Sequence, residues 1–165
     1  MKALSQSANT LGCASGSWRI RSLSDGYVDL PAESLKYPND NVGRQTEPPQ
    51  RHASLVRLPV NCFLFDRSGM DRVLIDCGAG GSWDPSMGHL EAAVAEAGID
   101  TSSITMIALT HAHGDHINGL LMPDGRRAFN GLRKIVIGAD AIEEFLAEPV
   151  LEQFRSLLTL SLIHI

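Results

Sequence analysis

The stretch that decides the fold is Thr110-His111-Ala112-His113-Gly114-Asp115-His116, which holds three of the six histidines of the chain and one carboxylate. In an extended segment, side chains two residues apart point the same way, so His111 and His113 are placed to face one ion. A turn at Gly114 would carry Asp115 and His116 toward a neighbouring point. Imidazole nitrogens and carboxylate oxygens are ordinary zinc ligands, and two adjacent metal ions can share a nucleophilic hydroxide. The pattern therefore predicts a two-metal hydrolytic site.

A structural interpretation of the same motif is also open. In that interpretation the polar residues only cap the helix that follows, with Asp115 as the N-cap. It would suffice for a single histidine in a loop, but four potential metal ligands within six residues favour the metal site.

The elements around the motif indicate a mixed α/β protein with a sheet. Hydrophobic runs predict strands, and apolar residues at helical spacing predict helices. The predicted strands are Ser54 to Phe65, Arg72 to Ile75, Ile104 to Leu109 and Lys134 to Ile137. The predicted helices are an amphipathic one through Leu90, Ala93, Val94 and Ala97, a short one near His116 to Leu121, and one at Ala139 to Ala147.

Turn chemistry predicts where the early strands reverse direction. Asp25-Gly26 lies between two strand-like runs and predicts the turn of a β-hairpin. Residues Asp66 to Asp71 form a second plausible hairpin loop, and Tyr37 to His52 are polar without an apolar period, which predicts a long loop.

Composition bounds the class of protein. A chain of 165 residues is about one domain, and its net charge of -5 without a Lys/Arg cluster argues against a nucleic-acid partner. No apolar run is long enough for a membrane span, and the polar start of the chain shows no secretory signal, so we expect a cytoplasmic protein. The three cysteines, Cys13, Cys62 and Cys77, have no C-x-x-C spacing and are expected to be small core residues.

The sequence resembles the metallo-β-lactamase-fold hydrolases, whose hallmark is this histidine motif after a strand. Asn61-Cys62-Phe63-Leu64 and Val73-Leu74-Ile75-Asp76-Cys77-Gly78 are similar to the early hairpin of that family. Leu23 to Pro31 looks like the opening strands of the branch that includes quorum-quenching lactonases and methyl parathion hydrolases. The resemblance implies an αββα sandwich, with residues 1–165 as the N-terminal part of one such domain and the C-terminal half missing.

The resemblance also implies roles for individual residues. His111 and His113 would bind the first of two zinc ions, or other divalent first-row metals, and Asp115 and His116 would bind the second. Asp115 would also handle a proton during catalysis, and Asp76 would orient a ligand histidine, although a turn residue at the strand end is an equal alternative for Asp76. The sequence departs from the family at Ile117-Asn118-Gly119, where the family usually has x-Gly-Gly.

The expected activity is metal-dependent hydrolysis of lactones or related esters by a metal-bridged hydroxide. Thioesters of glutathione adducts, phosphotriesters and a non-catalytic metal-binding fragment are the alternatives. The family completes its site with further His and Asp ligands downstream, so the chain by itself is expected to be inactive; His164, His52 and His89 are not expected to be ligands. The expected partner is a small-molecule substrate, not nucleic acid or a membrane, with a homodimer as an open alternative.

Overall fold

The structure is a computed structural model that describes residues 2–6, 10–34, 55–82, 84–138, 143, 147 and 163–164. These residues form one mixed sheet whose strands are neighbours in sequence order. The strands are β1 (Lys2–Gln6), β2 (Thr10–Ser15), β3 (Trp18–Pro31), β4 (Leu55–Asp66), β5 (Arg72–Ile75), β6 (Ile104–Leu109), β7 (Lys134–Ile137) and β8 (Ile163–His164). The helices in the described ranges are α1 (Leu90–Glu96) and α2 (Gly114–Ile117), with 3-10 turns at Ala32–Ser34, Gly80–Ser82, Thr101–Ser103 and Asn118–Leu120.

The sheet changes from antiparallel to parallel at β5. Strands β1 to β5 pair antiparallel, and β5 to β8 pair parallel. A short loop suffices between β4 and β5, whereas the parallel return from β5 to β6 needs a long crossover, which contains α1. The carboxyl ends of β5 and β6 consequently lie at the same edge of the sheet.

The core lies between one face of this sheet and α1. On β4 the side chains of Val60, Cys62 and Leu64 are buried, whereas Phe63 between them is 42% exposed, which is the period of two expected for a strand with unequal faces. Leu90, Ala93 and Val94 of α1 are buried in the same hydrophobic cluster as Leu23, Cys62 and Leu64. Burial of these apolar side chains is the main force that holds α1 on the sheet.

Most predicted elements are confirmed. Strands β5, β6 and β7 have the predicted bounds, β4 extends to Asp66, and α1 begins at Leu90. The short helix predicted near His116 is α2 continued by a 3-10 turn. The predicted loop Tyr37 to His52 lies outside the described residues, as does the predicted helix Ala139 to Ala147 apart from Glu143 and Ala147.

The hairpin turn predicted at Asp25-Gly26 is wrong. Strand β3 continues through this pair, and its register with β4 shifts between Ser24 and Gly26, which is a bulge. Gly26 has φ +126°, and a Cβ there would lie 1.9 Å from the carbonyl oxygen of Ser86. The Asp-Gly pair therefore marks a close approach of two backbones inside a strand.

Two of the three cysteines lie in the core, as the sequence predicts. Cys62 and Cys77 are buried free thiols, and burial raises the pKa of both well above the usual range. Cys13 is only partly buried, so the expected core position is confirmed for Cys62 and Cys77 alone. In the described part of the chain, no helix combines the length and apolar character that a membrane span requires.

Candidate metal centre

The histidine motif lies where the carboxyl ends of β5 and β6 meet. Asp76 follows β5 directly, Thr110 follows β6 directly, and the amide of Asp76 donates to the carbonyl oxygen of Ala108 at 2.9 Å. Parallel pairing thus brings two segments that are 34 residues apart in sequence into contact. Ligands commonly bind outside the carboxyl ends of parallel strands, because the loops there diverge and leave room.

Asp76 connects the end of β5 to the motif through its carboxylate. The carboxylate accepts hydrogen bonds from the Thr110 amide at 2.8 Å, from the Thr110 hydroxyl at 2.9 Å and from His116 Nδ1 at 2.8 Å. Asp76 has φ +58°, a conformation that aspartate tolerates better than most residues. Asp76 is therefore both a residue of the strand-end turn and a hydrogen-bond acceptor for one of the predicted ligand histidines.

These contacts define which ring nitrogens remain available. His116 donates Nδ1–H to the carboxylate, which leaves the Nε2 lone pair free of that contact. The Thr110 hydroxyl has one hydrogen, directed to Asp76, so His111 Nδ1 at 2.9 Å donates to the Thr110 oxygen. On both histidines the nitrogen left to bind a metal is Nε2.

The four predicted ligands lie together at this edge. The ring centroids of His111 and His113 are 4.5 Å apart, and those of His111 and His116 are 4.1 Å apart. His116 Nε2 is 3.5 Å from Asp115 Oδ2. The structural interpretation with Asp115 as N-cap is wrong, because the N-cap of α2 is His113 and Asp115 lies inside the first turn.

The contacts shift the protonation of three groups in this cluster. Burial raises the pKa of Asp76, but the hydrogen bonds from His116 and Thr110 together outweigh it, so the net pKa is lowered. The hydrogen bond to Asp76 raises the pKa of His116. Burial, followed by the neighbouring His116 and His113, lowers the pKa of His111, which favours the neutral imidazole that a metal requires.

In the metal-free protein we expect the pKa of His116 to be raised from the ordinary histidine value by its contact with Asp76, and the pKa of His111 to be lowered by burial. The stabilising contact of His116 is then complete below its ordinary pKa and is lost as pH rises through the raised value, whereas the contact of Asp76 is lost as pH falls through its lowered value. Histidine ring signals followed by NMR across pH, with Asp76→Asn as the comparison, measure both shifts. The same pKa for His116 in the two proteins would contradict the assignment.

The donor set fits a divalent metal in chemistry and is incomplete in number. Imidazole nitrogens and carboxylate oxygens suit zinc and its first-row neighbours. Within the described ranges, however, no group of three or more His, Cys, Asp or Glu side chains is placed to hold one ion. A catalytic zinc site usually has three protein ligands, so these residues supply part of the donors of a site.

The backbone beneath the motif explains how the departure at Ile117-Asn118-Gly119 is tolerated. A Cβ on Gly119 would lie 1.7 Å from the carbonyl oxygen of Cys77, so the glycine needed for the close approach is retained. The amide of Gly119 donates to the carbonyl of Gly78, and the amide of Cys77 donates to the carbonyl of His116, both at 2.9 Å. These bonds fix the end of α2 on the loop after β5.

Sequence reasoning missed two residues that build this region. The motif alone gives Thr110 no role, yet its hydroxyl connects Asp76 to His111. Asp25 was assigned to a turn, yet it is fully buried and its carboxylate accepts from the amides of Ala79, Gly88 and Leu90. Asp25 lies two residues after the buried Leu23, on the same face of an alternating strand, and this period is the signal that could have identified it.

Of the other three histidines, only His89 has a described side chain, and it lies outside the motif. His89 is exposed, and its ring lies 3.1 Å from the carbonyl of Pro85. His164 pairs through its backbone with Ile137, and His52 lies outside the described residues. A cavity of about 210 Å³ is lined by Gly80, Leu90 and Phe129 among others, and none of the four motif ligands lines it.

Comparison with known proteins agrees with this geometry. Residues 55–125 match the family model described as the metallo-beta-lactamase superfamily. The fold is that of the metallo-β-lactamase superfamily. The resemblance stated from the motif is thereby confirmed at the level of the fold. No match was found among curated protein sequences.

Solved structures give the same fold at low sequence identity. The chain is 20% identical to AidC, a dizinc quorum-quenching lactonase solved with a product, with a TM-score of 0.70 over 93% of this chain and 61% of that one. It is 19% identical to the hydrolase AbOPH, with a TM-score of 0.73 over 97% and 62% of the two chains. A probable metal-dependent hydrolase from Staphylococcus aureus is 20% identical, with a TM-score of 0.65 over 92% and 61%. The chain thus spans about three fifths of the length of these structures.

Proposed function

We propose that this protein is a metal-dependent hydrolase that opens lactones or cleaves related esters. One observation carries the proposal: Asp76 holds Nδ1 of His116 directly and Nδ1 of His111 through the Thr110 hydroxyl. The Nε2 atoms of both histidines are therefore left to bind a metal. A carboxylate behind a histidine that fixes its tautomer is typical of metal sites. Two divalent ions bound here would polarise a carbonyl or phosphoryl oxygen and activate a water molecule.

The residues of the chain have separate tasks in this proposal. His111 and His113 would hold one ion, and Asp115 and His116 the other. Asp76 and Thr110 position the rings, and the lowered pKa of His111 keeps that ring neutral. The Asp115 carboxylate, whose side chain is 26% exposed, would accept a proton from the attacking water and pass it to the leaving oxygen.

The preference for lactones comes from the structural neighbours. AidC is a lactonase that was solved with a homoserine product, and it shares the fold of 93% of this chain. Thioesters and phosphotriesters require the same activated water and are distinguished by assay. The net charge of -5 disfavours a nucleic-acid substrate.

Metal binding is the first test. We expect His111→Ala/His113→Ala to lose about half of the zinc bound by the parent chain, because both donors of one of the two ions are removed while Asp115 and His116 remain. Zinc is measured by elemental analysis after equilibrium dialysis, and His89→Ala is the matched control, since this exposed histidine lies outside the motif. Equal zinc content in the parent and the double variant would contradict the site.

Hydrolysis is the second test, and it addresses the need for further donors. The zinc-loaded chain is assayed beside a chimera extended after Ile165 by the corresponding segment of a solved lactonase, using a lactone, a thioester and a phosphotriester. We expect negligible turnover by the chain itself and lactone opening by the chimera. The same chimera carrying His111→Ala/His113→Ala is expected to lose this activity. Turnover that survives this substitution would overturn the proposed mechanism, and preference for another substrate would overturn the lactone assignment.

A further inference from the structure

A second cluster of charged side chains lies at the other end of β5. A cleft of about 360 Å³ is lined by Arg19, Arg67 and Arg72, together with Asp66, Ser68 and Ser103. Arg72 begins β5 and Ser103 directly precedes β6, so the cleft lies at the amino ends of the strands whose carboxyl ends carry the histidine motif. Asp76 is four residues after Arg72, and four steps along an extended strand span roughly 13 Å.

The single carboxylate of this cleft is already neutralised. Asp66 is 2% exposed, and its two oxygens accept from Arg19 Nε at 2.7 Å and from Arg21 Nη1 at 2.5 Å. Arg19 and Arg21 together neutralise the negative charge of Asp66. The remaining lining arginines, Arg67 and Arg72, therefore contribute positive charge that Asp66 does not offset.

Arg67 and Arg72 have partners, but these partners are neutral. The Arg67 guanidinium lies 4.9 Å from the centroid of the Trp18 ring, and Arg72 Nη1 donates to the Ser103 hydroxyl. Among the described side chains, neither arginine forms an ion pair with a carboxylate. Both residues are half-buried, so water screens their charges less than on an open surface.

We propose that this cleft binds a phosphate group, either free or carried by a small molecule. Two guanidinium groups match the charge of a dianion, and their planar forks suit its several oxygens better than ammonium groups would. The Ser68 hydroxyl supplies a further donor at the same wall, whereas the Ser103 hydroxyl donates to the carbonyl of Asp100 and holds Arg72 in place. The proposal is independent of the hydrolytic function, because it uses none of the residues of the metal centre.

The test titrates inorganic phosphate into the full 165-residue chain after metal removal with a chelator, at low ionic strength. Binding is measured by calorimetry, and a Trp83→Phe background leaves Trp18 as the tryptophan whose fluorescence reports on the cleft. We expect saturable binding with a change in Trp18 fluorescence, and affinity at least tenfold weaker for acetate, which carries a single charge.

Substitutions then locate the site. We expect Arg67→Gln/Arg72→Gln to weaken phosphate binding at least tenfold, and Arg126→Gln to leave it unchanged, because Arg126 is an exposed arginine paired with Asp124 elsewhere. If circular dichroism shows that the double variant is unfolded, Arg67→Gln alone replaces it, because Arg67 lies in the loop after β4. The single variant is expected to weaken phosphate binding severalfold. The proposal is overturned by no saturable binding to the parent, by equal affinity for acetate, or by undiminished binding in the folded arginine variants.

Discussion

Replacement of Asp25 by alanine is expected to lower the free energy of unfolding by roughly 3 to 6 kcal/mol. The carboxylate is fully buried, with Oδ2 accepting from the amides of Ala79 at 2.9 Å and Gly88 at 3.1 Å, and Oδ1 accepting from Leu90 at 2.9 Å. Alanine would leave these three buried donors without their acceptor, and each unsatisfied group costs about 1 to 3 kcal/mol. Because domains are stable by only about 5 to 15 kcal/mol, the loss is a large share of the total.

The size of this effect follows from what Asp25 connects. Its side chain joins β3 to the glycine-rich loop after β5 and to the first residue of α1. Burial raises the pKa of Asp25, and the three amide hydrogen bonds partly offset that rise, so the acceptor is costly to bury and costly to remove. The same loop carries Asp76 and Cys77, so the metal centre depends on this connection.

Urea unfolding followed by circular dichroism measures the change, with Asp29→Ala as the matched control. Asp29 is on the same strand, but its carboxylate pairs with Arg57 at the surface. Pairs of that kind contribute little to stability, so the midpoint of the control should stay close to that of the parent. If the two variants unfold at the same urea concentration, Asp25 is not the connection described.

Replacement of Asp76 by asparagine is expected to reduce zinc affinity about 10- to 100-fold without unfolding the protein. Asparagine tolerates the positive φ of this position, so the backbone of the turn is kept. The substitution removes the negative charge that holds His116 Nδ1 and the Thr110 hydroxyl. His116 then loses its fixed orientation, and its nitrogen becomes a weaker ligand.

Zinc affinity is measured by competition with a chromophoric chelator. Asp71→Asn is the control, because Asp71 lies just before the opposite end of β5 and contacts Thr105 and Arg133. The control is expected to bind zinc as the parent does. Parent-like affinity in a folded Asp76→Asn protein would assign Asp76 to the turn alone.

The sequence predicted structure correctly where the residues that determine an element are adjacent in the chain. Strands β5, β6 and β7 are short apolar runs between polar or glycine residues, and local hydrophobic pattern suffices to bound them. The histidine motif is likewise local, since four potential ligands lie within six residues. Density of this kind identifies the candidate site, and with it the resemblance to a known fold, before any contact is known.

Local pattern failed where a residue serves a distant part of the chain. Asp25-Gly26 has the composition of a hairpin turn, but its partners are Ala79, Gly88 and Leu90, more than fifty residues away. The benefit of burying a carboxylate against three amides exists only after β3, the loop after β5 and α1 have packed. A local stretch of sequence does not include these distant partners, so turn propensity alone predicted a hairpin turn where the strand continues.

The sequence by itself therefore determined the fold class, the core strands and the set of candidate ligands. Only the tertiary structure decided which atoms those ligands present. Parallel pairing of β5 with β6 placed Asp76 against Thr110 and His116, and the single hydroxyl hydrogen of Thr110 then set the direction of the bond from His111. The cleft around Arg67 and Arg72 also depends on tertiary structure, because Arg19 of β3 and Ser103 before β6 meet the β4–β5 hairpin only in the folded sheet.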